Sequence, residues 1–144
     1  MEDNLKPGLG TGNSRKTGND AVLKKKILVI DDEYHIRKII RLNLEMDDFD
    51  VMTAGDGKEA LEMISREKPD LVIADILMPE INGLEFFLTL KEKESTSDIP
   101  VIIITGKVEY EDIKFARLMG VDDYITKPFN PKDLTERIKE LLDI

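Results

Sequence analysis

The chain of 144 residues contains no cysteine. That excludes a disulfide framework and any thiolate metal site, and it fits a reducing, cytoplasmic setting. Histidine occurs once, at His35; near the start of a helix and without acids at metal-ligand spacing, it reads as a surface or capping residue. Long apolar runs are also missing. The longest stretches, such as VIII at 101–104, fall far short of the ~20 residues that cross a bilayer, and the N-terminus lacks the continuous apolar segment of a secretory signal. Positive charge is scarce except at one end: the net charge of −9 divides into +3 over residues 1–26 and −12 over the remainder. So acidic a body repels nucleic acid phosphates and anionic lipid, so binding to neither nucleic acid nor membrane is expected; cations and basic partner surfaces suit it better.

What is present describes one ordinary globular domain, 41% apolar and 35% charged, with room for a single core. Residues 1–25 hold Pro7, Gly8, Gly10, Gly12 and Gly18 among polar and basic residues, with no apolar periodicity to bury, and are expected to be a disordered tail. Within them GTGNSRKT, Gly10 to Thr17, approaches the phosphate-binding loop pattern, but Arg15 stands where the second glycine belongs and no strand leads in, so it reads as linker. The folded domain is expected over 26–144, with no output domain.

From Lys26 onward short apolar runs alternate with stretches of helical period, the pattern of a parallel sheet covered on both faces. The strands read as 27–30, 51–54, 71–74, 101–105 and 123–126, mostly β-branched and apolar. Asp56 with Glu59, and Asn82 with Glu85, place a capping side chain three residues ahead of a carboxylate; Asn130 precedes Pro131, and Gly120 closes the fourth helix. Ile36, Ile39, Ile40 and Leu44 should form the buried stripe of the first helix, and Leu134, Ile138, Leu141 and Leu142 that of the last. Met46, Met52, Met63 and Met119 read as core fillers. The fold class is α/β, a doubly wound five-stranded parallel sheet.

In such a sheet every strand points the same way, so whatever follows the strands gathers along one edge. There lie Asp31 and Asp32 after the first strand, Asp75 after the third, Thr105 closing the fourth and Lys127 just past the fifth. Singly each has a plain structural use: aspartates as turn formers, Thr105 as a β-former, Lys127 as a solvated charge. Together they are a site. Crowded carboxylates need a cation, and hard oxygen donors without histidine or cysteine suit Mg²⁺, or Mn²⁺ in its place. Phosphoryl transfer is chiefly positioning and charge neutralisation. Asp75 can be the nucleophile, since an aspartate carboxylate needs no separate base; the metal and Lys127 are the counter-charges, and Thr105 donates to a phosphoryl oxygen.

The segments VIDDE (29–33), ADILMPEINGLEF (74–86), IIITG (102–106) and DDYITKPF (122–129) resemble the receiver domains of two-component response regulators. The resemblance covers about residues 26–144. It implies a (βα)5 flavodoxin-like fold of strand order 2-1-3-4-5, in which Asp75 is the phosphoacceptor, Asp32 and Asp75 bind the metal directly, Asp31 binds it through water, and the backbone carbonyl of Leu77 completes the site. It further implies that Thr105 and Lys127 bind the phosphoryl group and that the Lys127–Pro128 bond is cis. Phosphorylation would draw Thr105 inward and turn Tyr124, altering the face made by the fourth helix, fifth strand and fifth helix. Without the resemblance, Tyr124 reads equally as a half-buried strand aromatic. Leu77 and Lys107 flank the site and are expected to influence attack by water.

The implied function is a phosphoacceptor signalling module served by a sensor histidine kinase or phosphotransfer protein. It is a switch that catalyses its own phosphorylation and dephosphorylation, and not a metabolic enzyme. Lys114, Arg117, Asp122, Asp123, Glu136 and Arg137 mix charges on the switching face, as in receivers that form homodimers there. An aspartate-nucleophile phosphatase is the chief alternative, but it would place D-x-D after the first strand, where this chain has Asp31, Asp32 and Glu33, and would carry a cap insertion. A binding module that has lost phosphorylation is disfavoured because none of the required residues is missing.

Overall fold

The computed structural model of the chain describes residues 23–106 and 110–144. The expected tail, apart from its last few residues, and Lys107 lie outside the described residues. Five strands, β1 (Lys26–Ile30), β2 (Asp50–Ala54), β3 (Leu71–Ala74), β4 (Val101–Thr105) and β5 (Asp123–Thr126), alternate with helices α1 (Tyr34–Met46), α2 (Gly57–Arg66), α3 (Gly83–Glu92), α4 (Tyr110–Met119) and α5 (Pro131–Leu142). All strand pairs are parallel, in the order β2-β1-β3-β4-β5. The expected strand order and the five strand positions are therefore present, with β1 and β2 each one residue longer at the start.

Alternation along each strand sends successive side chains to opposite faces. Leu28, Ile30, Val72, Ala74, Val101 and Ile103 face α2 and α3, meeting Ala60, Ile64, Phe86, Phe87 and Leu90. Ile27, Val29, Val51, Leu71, Ile73, Ile102 and Ile104 face α1 and α5, meeting Ile40, Leu44, Leu134 and Ile138. The central strands are buried on both faces, which is why β1, β3 and β4 read as continuous apolar runs rather than alternating ones.

The helix ends follow local chemistry. Asn82 and Glu85 form a complete capping box, and Asn130 accepts from the Lys132 amide with Pro131 at the first helical position. Asp56 accepts from the Glu59 amide, while the Glu59 carboxylate reaches one residue further back than expected, to the Gly55 amide. Gly120 has φ of 92°, a left-handed conformation that costs glycine little.

Two expectations on α1 fail. Ile39 is 46% exposed and Met46 84% exposed. At about 100° per residue, Met46 stands roughly 200° around the helix from buried Leu44, and Ile39 roughly 100° from buried Ile40. The buried stripe is Ile36, Ile40 and Leu44, spaced by four; Ile39, Leu42 and Met46 form a second, exposed apolar stripe. Met52, Met63 and Met119 do pack against the core, and His35 is exposed, its ring edge-on to Tyr34.

Candidate functional site

Each site residue is delivered by the end of a strand. Asp31 follows β1, its amide donating to the Ala54 carbonyl, and Asp75 follows β3, its amide donating to the Ile30 carbonyl, so sheet-like pairing carries on into the loops. Among the described residues, Asp31, Asp32 and Asp75 each offer a carboxylate oxygen within 4.8 Å of the others. Asp31 and Asp75 are buried, Asp32 exposed at the mouth. Thr105 is buried at the end of β4, and its carbonyl accepts from the Lys127 amide at 2.8 Å, which places Lys127 over the same edge.

The lysine side chain then crosses the edge of the sheet. Its Nζ donates to Asp31 Oδ2 and to Asp75 Oδ2, each at 2.8 Å, and meets Glu33 Oε1 at 3.3 Å. The remaining oxygens are occupied as well: Asp31 Oδ1 accepts from the Glu33 amide at 2.8 Å, and Asp75 Oδ1 from the Leu77 amide at 3.0 Å. The Lys127–Pro128 peptide is cis. Gly83 lets the start of α3 press against the Asp75 backbone, for a Cβ there would lie 2.4 Å from the Asp75 carbonyl oxygen.

The electrostatics follow from burial. Burial pushes the Asp31 carboxyl up, the charge of Asp75 adds to that, and hydrogen bonds from Lys127 and the Glu33 amide oppose it without cancelling it. Burial works against the Lys127 ammonium too, but its hydrogen bonds to Asp31 and Asp75 outweigh this and hold its pKa above the ordinary lysine value. Three carboxylates meet the one ammonium and Asp32 lies beside two of them, so the site keeps an excess of negative charge. Its donor set is hard oxygen alone, which suits a magnesium or manganese ion and not zinc.

Tyr124 lies on β5 opposite Ile103, half-buried against the cluster beneath α2 and α3. Burial, then the charges of Asp112 and Asp75, push its phenol up. Leu77 is exposed in the loop after Asp75. The residue the spacing argument missed is Glu33. Its signal was in plain sight, a third consecutive acid after β1, but a glutamate at a helix start reads first as a favourable charge for the helix dipole.

Residues 27–139 match the family model described as the response regulator receiver domain. The chain is 40% identical over 120 residues to the alkaline phosphatase synthesis transcriptional regulatory protein PhoP of Bacillus subtilis, a match covering 83% of this chain and 49% of that protein. It is 44% identical over 119 residues to the phosphate regulon transcriptional regulatory protein PhoB of Pseudomonas aeruginosa, covering 82% and 52%. The chain thus spans about half the length of the curated relatives it matches. Among solved structures, the chemotaxis response regulator CheY4 of Vibrio cholerae superposes with a TM-score of 0.77 at 28% identity, covering 83% of this chain and 99% of that one. Strand order, the acid-and-lysine edge and a family match over nearly all of the described fold agree: the chain belongs to the receiver domains of two-component response regulators.

Proposed function

We propose that Asp75 accepts a phosphoryl group from the phosphohistidine of a sensor histidine kinase or phosphotransfer protein. The observation that carries this is the Asp75 carboxylate itself, which shares the Lys127 ammonium with Asp31 and converges with Asp31 and Asp32 at the carboxyl edge of the sheet. An Asp75 oxygen forms the new bond to phosphorus as the bond to the donor imidazole breaks, and the imidazole leaves with the electron pair. Lys127 offers N–H donors to the phosphoryl oxygens, and Thr105 a hydroxyl at the neighbouring strand end. Asp31, Asp32, Asp75 and the Leu77 carbonyl would hold Mg²⁺ or Mn²⁺, which when bound supplies positive charge to the phosphoryl oxygens. Attack by water on the acyl phosphate returns the carboxylate and releases inorganic phosphate, so the domain resets itself.

In this reading Thr105 and Tyr124 carry the change to α4, β5 and α5. That surface presents Phe115 and Leu118, both well exposed, which supports self-association there. Asp123 is already paired with Arg137 inside the chain, and Asp122 accepts from the Val101 amide, so these acids are not wholly available to a partner. Among the described residues no helix is long and apolar enough to cross a membrane; a cytoplasmic location belongs to the same proposal.

The test is incubation with acetyl phosphate and Mg²⁺ followed by intact mass measurement. The expected product is a single acid-stable, base-labile phosphate on the wild type and none on Asp75→Asn. Multiple turnover of phosphate esters with no change in protein mass would support the phosphatase instead.

A further inference from the structure

We infer that Glu33 is a positioning residue for Lys127, the contact that keeps the ammonium beside Asp75 when Asp31 and Asp75 turn to other partners. The inference rests on the proposed function, and it begins from a conflict in the hydrogen bonding.

Lys127 has three N–H donors, directed at Asp31, Asp75 and Glu33. Each oxygen of Asp31 and Asp75 already has a donor: Lys127 on Oδ2 of both, and the Glu33 and Leu77 amides on the two Oδ1 atoms. Each oxygen keeps a second lone pair, but a cation or a phosphoryl group bound there competes with the ammonium for the same negative charge and weakens its two short contacts. Glu33 is the partner that need not let go, because it lies outside the trio whose oxygens converge.

A second observation points the same way. Glu33 is the N-cap of α1, where a side chain ordinarily accepts from the first amides, yet its side chain makes no capping hydrogen bond. It reaches Lys127 instead, at 3.3 Å, with 62% of the side chain exposed. An exposed, flexible carboxylate is a weak partner in energy but a mobile one, able to follow an ammonium that shifts between positions. Because it caps nothing, replacing it leaves α1 intact, which makes the variants interpretable.

The experiment compares wild type, Glu33→Ala and Glu33→Gln, the last keeping an oxygen that can accept from Nζ. Three quantities are read: folded stability, Mg²⁺ affinity by titration calorimetry, and the phosphorylation rate with acetyl phosphate resolved into KM and kcat. The expected result is unchanged stability, Mg²⁺ affinity within about twofold of wild type, kcat lowered about fivefold in Glu33→Ala, and recovery of most of that loss in Glu33→Gln. Equal kcat in Glu33→Ala and wild type overturns the inference. So does an equal loss in both variants, which would assign the effect to charge alone, or a large fall in Mg²⁺ affinity, which would make Glu33 a ligand. Failure of the wild type itself to take phosphate would overturn the proposed function rather than this role.

Discussion

The Lys127 ammonium lies 2.8 Å from Asp31 and 2.8 Å from Asp75, bridging two buried acids at the ends of β1 and β3 from the far edge strand β5. The side chain passes the end of β4 to do so.

Removing that bridge leaves two buried carboxylates without their counter-charge. Lys127→Met should therefore destabilise the fold by roughly 3 kcal/mol, the scale of a broken buried ion pair. A divalent cation can replace the missing charge, so millimolar Mg²⁺ should stabilise the variant more than the wild type. Urea unfolding with and without Mg²⁺ checks both; an unmoved midpoint would show that the bridge contributes nothing.

The alkaline limb of stability has a defined sign. Lys127 and Tyr124 hold their protons more tightly folded than at their ordinary values of 10.5 and 10.0. In each case the folded state binds more protons than the unfolded state above those values, so the associated stability is whole below about pH 10 and is lost as pH rises through the folded pKa. Melting temperatures between about pH 9 and about pH 11.5 should fall in the wild type and fall less steeply in Lys127→Met and Tyr124→Phe.

Gly83→Ala tests the support under Asp75. The new methyl would meet the Asp75 carbonyl oxygen at 2.4 Å and Ile76 Cα at 3.1 Å, both backbone atoms, while the Gly83 amide is bonded to the Ile76 carbonyl. The start of α3 has to move, and a loss of about 2 kcal/mol or more is expected together with slower phosphorylation. Gly57→Ala is the contrast: its closest contacts are side-chain atoms of Ile81 at 3.2 and 3.3 Å, and it should cost less.

The exposed stripe on α1 makes a prediction about methionine. Met46→Gln should change stability by no more than about 0.5 kcal/mol, as surface substitutions do. Leu44→Ala, at a wholly buried position on the same helix, should cost about 3 kcal/mol by leaving a cavity. Denaturant midpoints of the two variants measured side by side decide whether α1 is oriented as described.

The fold was legible because its signals are local. Runs such as ILVI and VIII have no helical period, and Asn82 with Glu85 announces a helix start by chemistry within four residues. The site was legible because a parallel sheet brings every strand end to one edge, so Asp31, Asp75 and Lys127 could be grouped without coordinates. Ile39 and Met46 were misassigned because apolar character alone does not fix a helix's rotation about its axis; only the meeting of Ile40 and Leu44 with Val29, Val51 and α5 did. Glu33 was missed since its use depends on where the Lys127 ammonium comes to rest, 94 residues away.

The sequence by itself therefore determined the element order, the parallel sheet and which acids and which lysine share an edge, because strand periodicity, caps and connection length are properties of short segments. Tertiary structure alone decided how the one ammonium is divided among Asp31, Asp75 and Glu33, and which face of α1 meets the sheet. Those outcomes are set by distances of a few ångströms between segments far apart in the chain, and no local pattern encodes them.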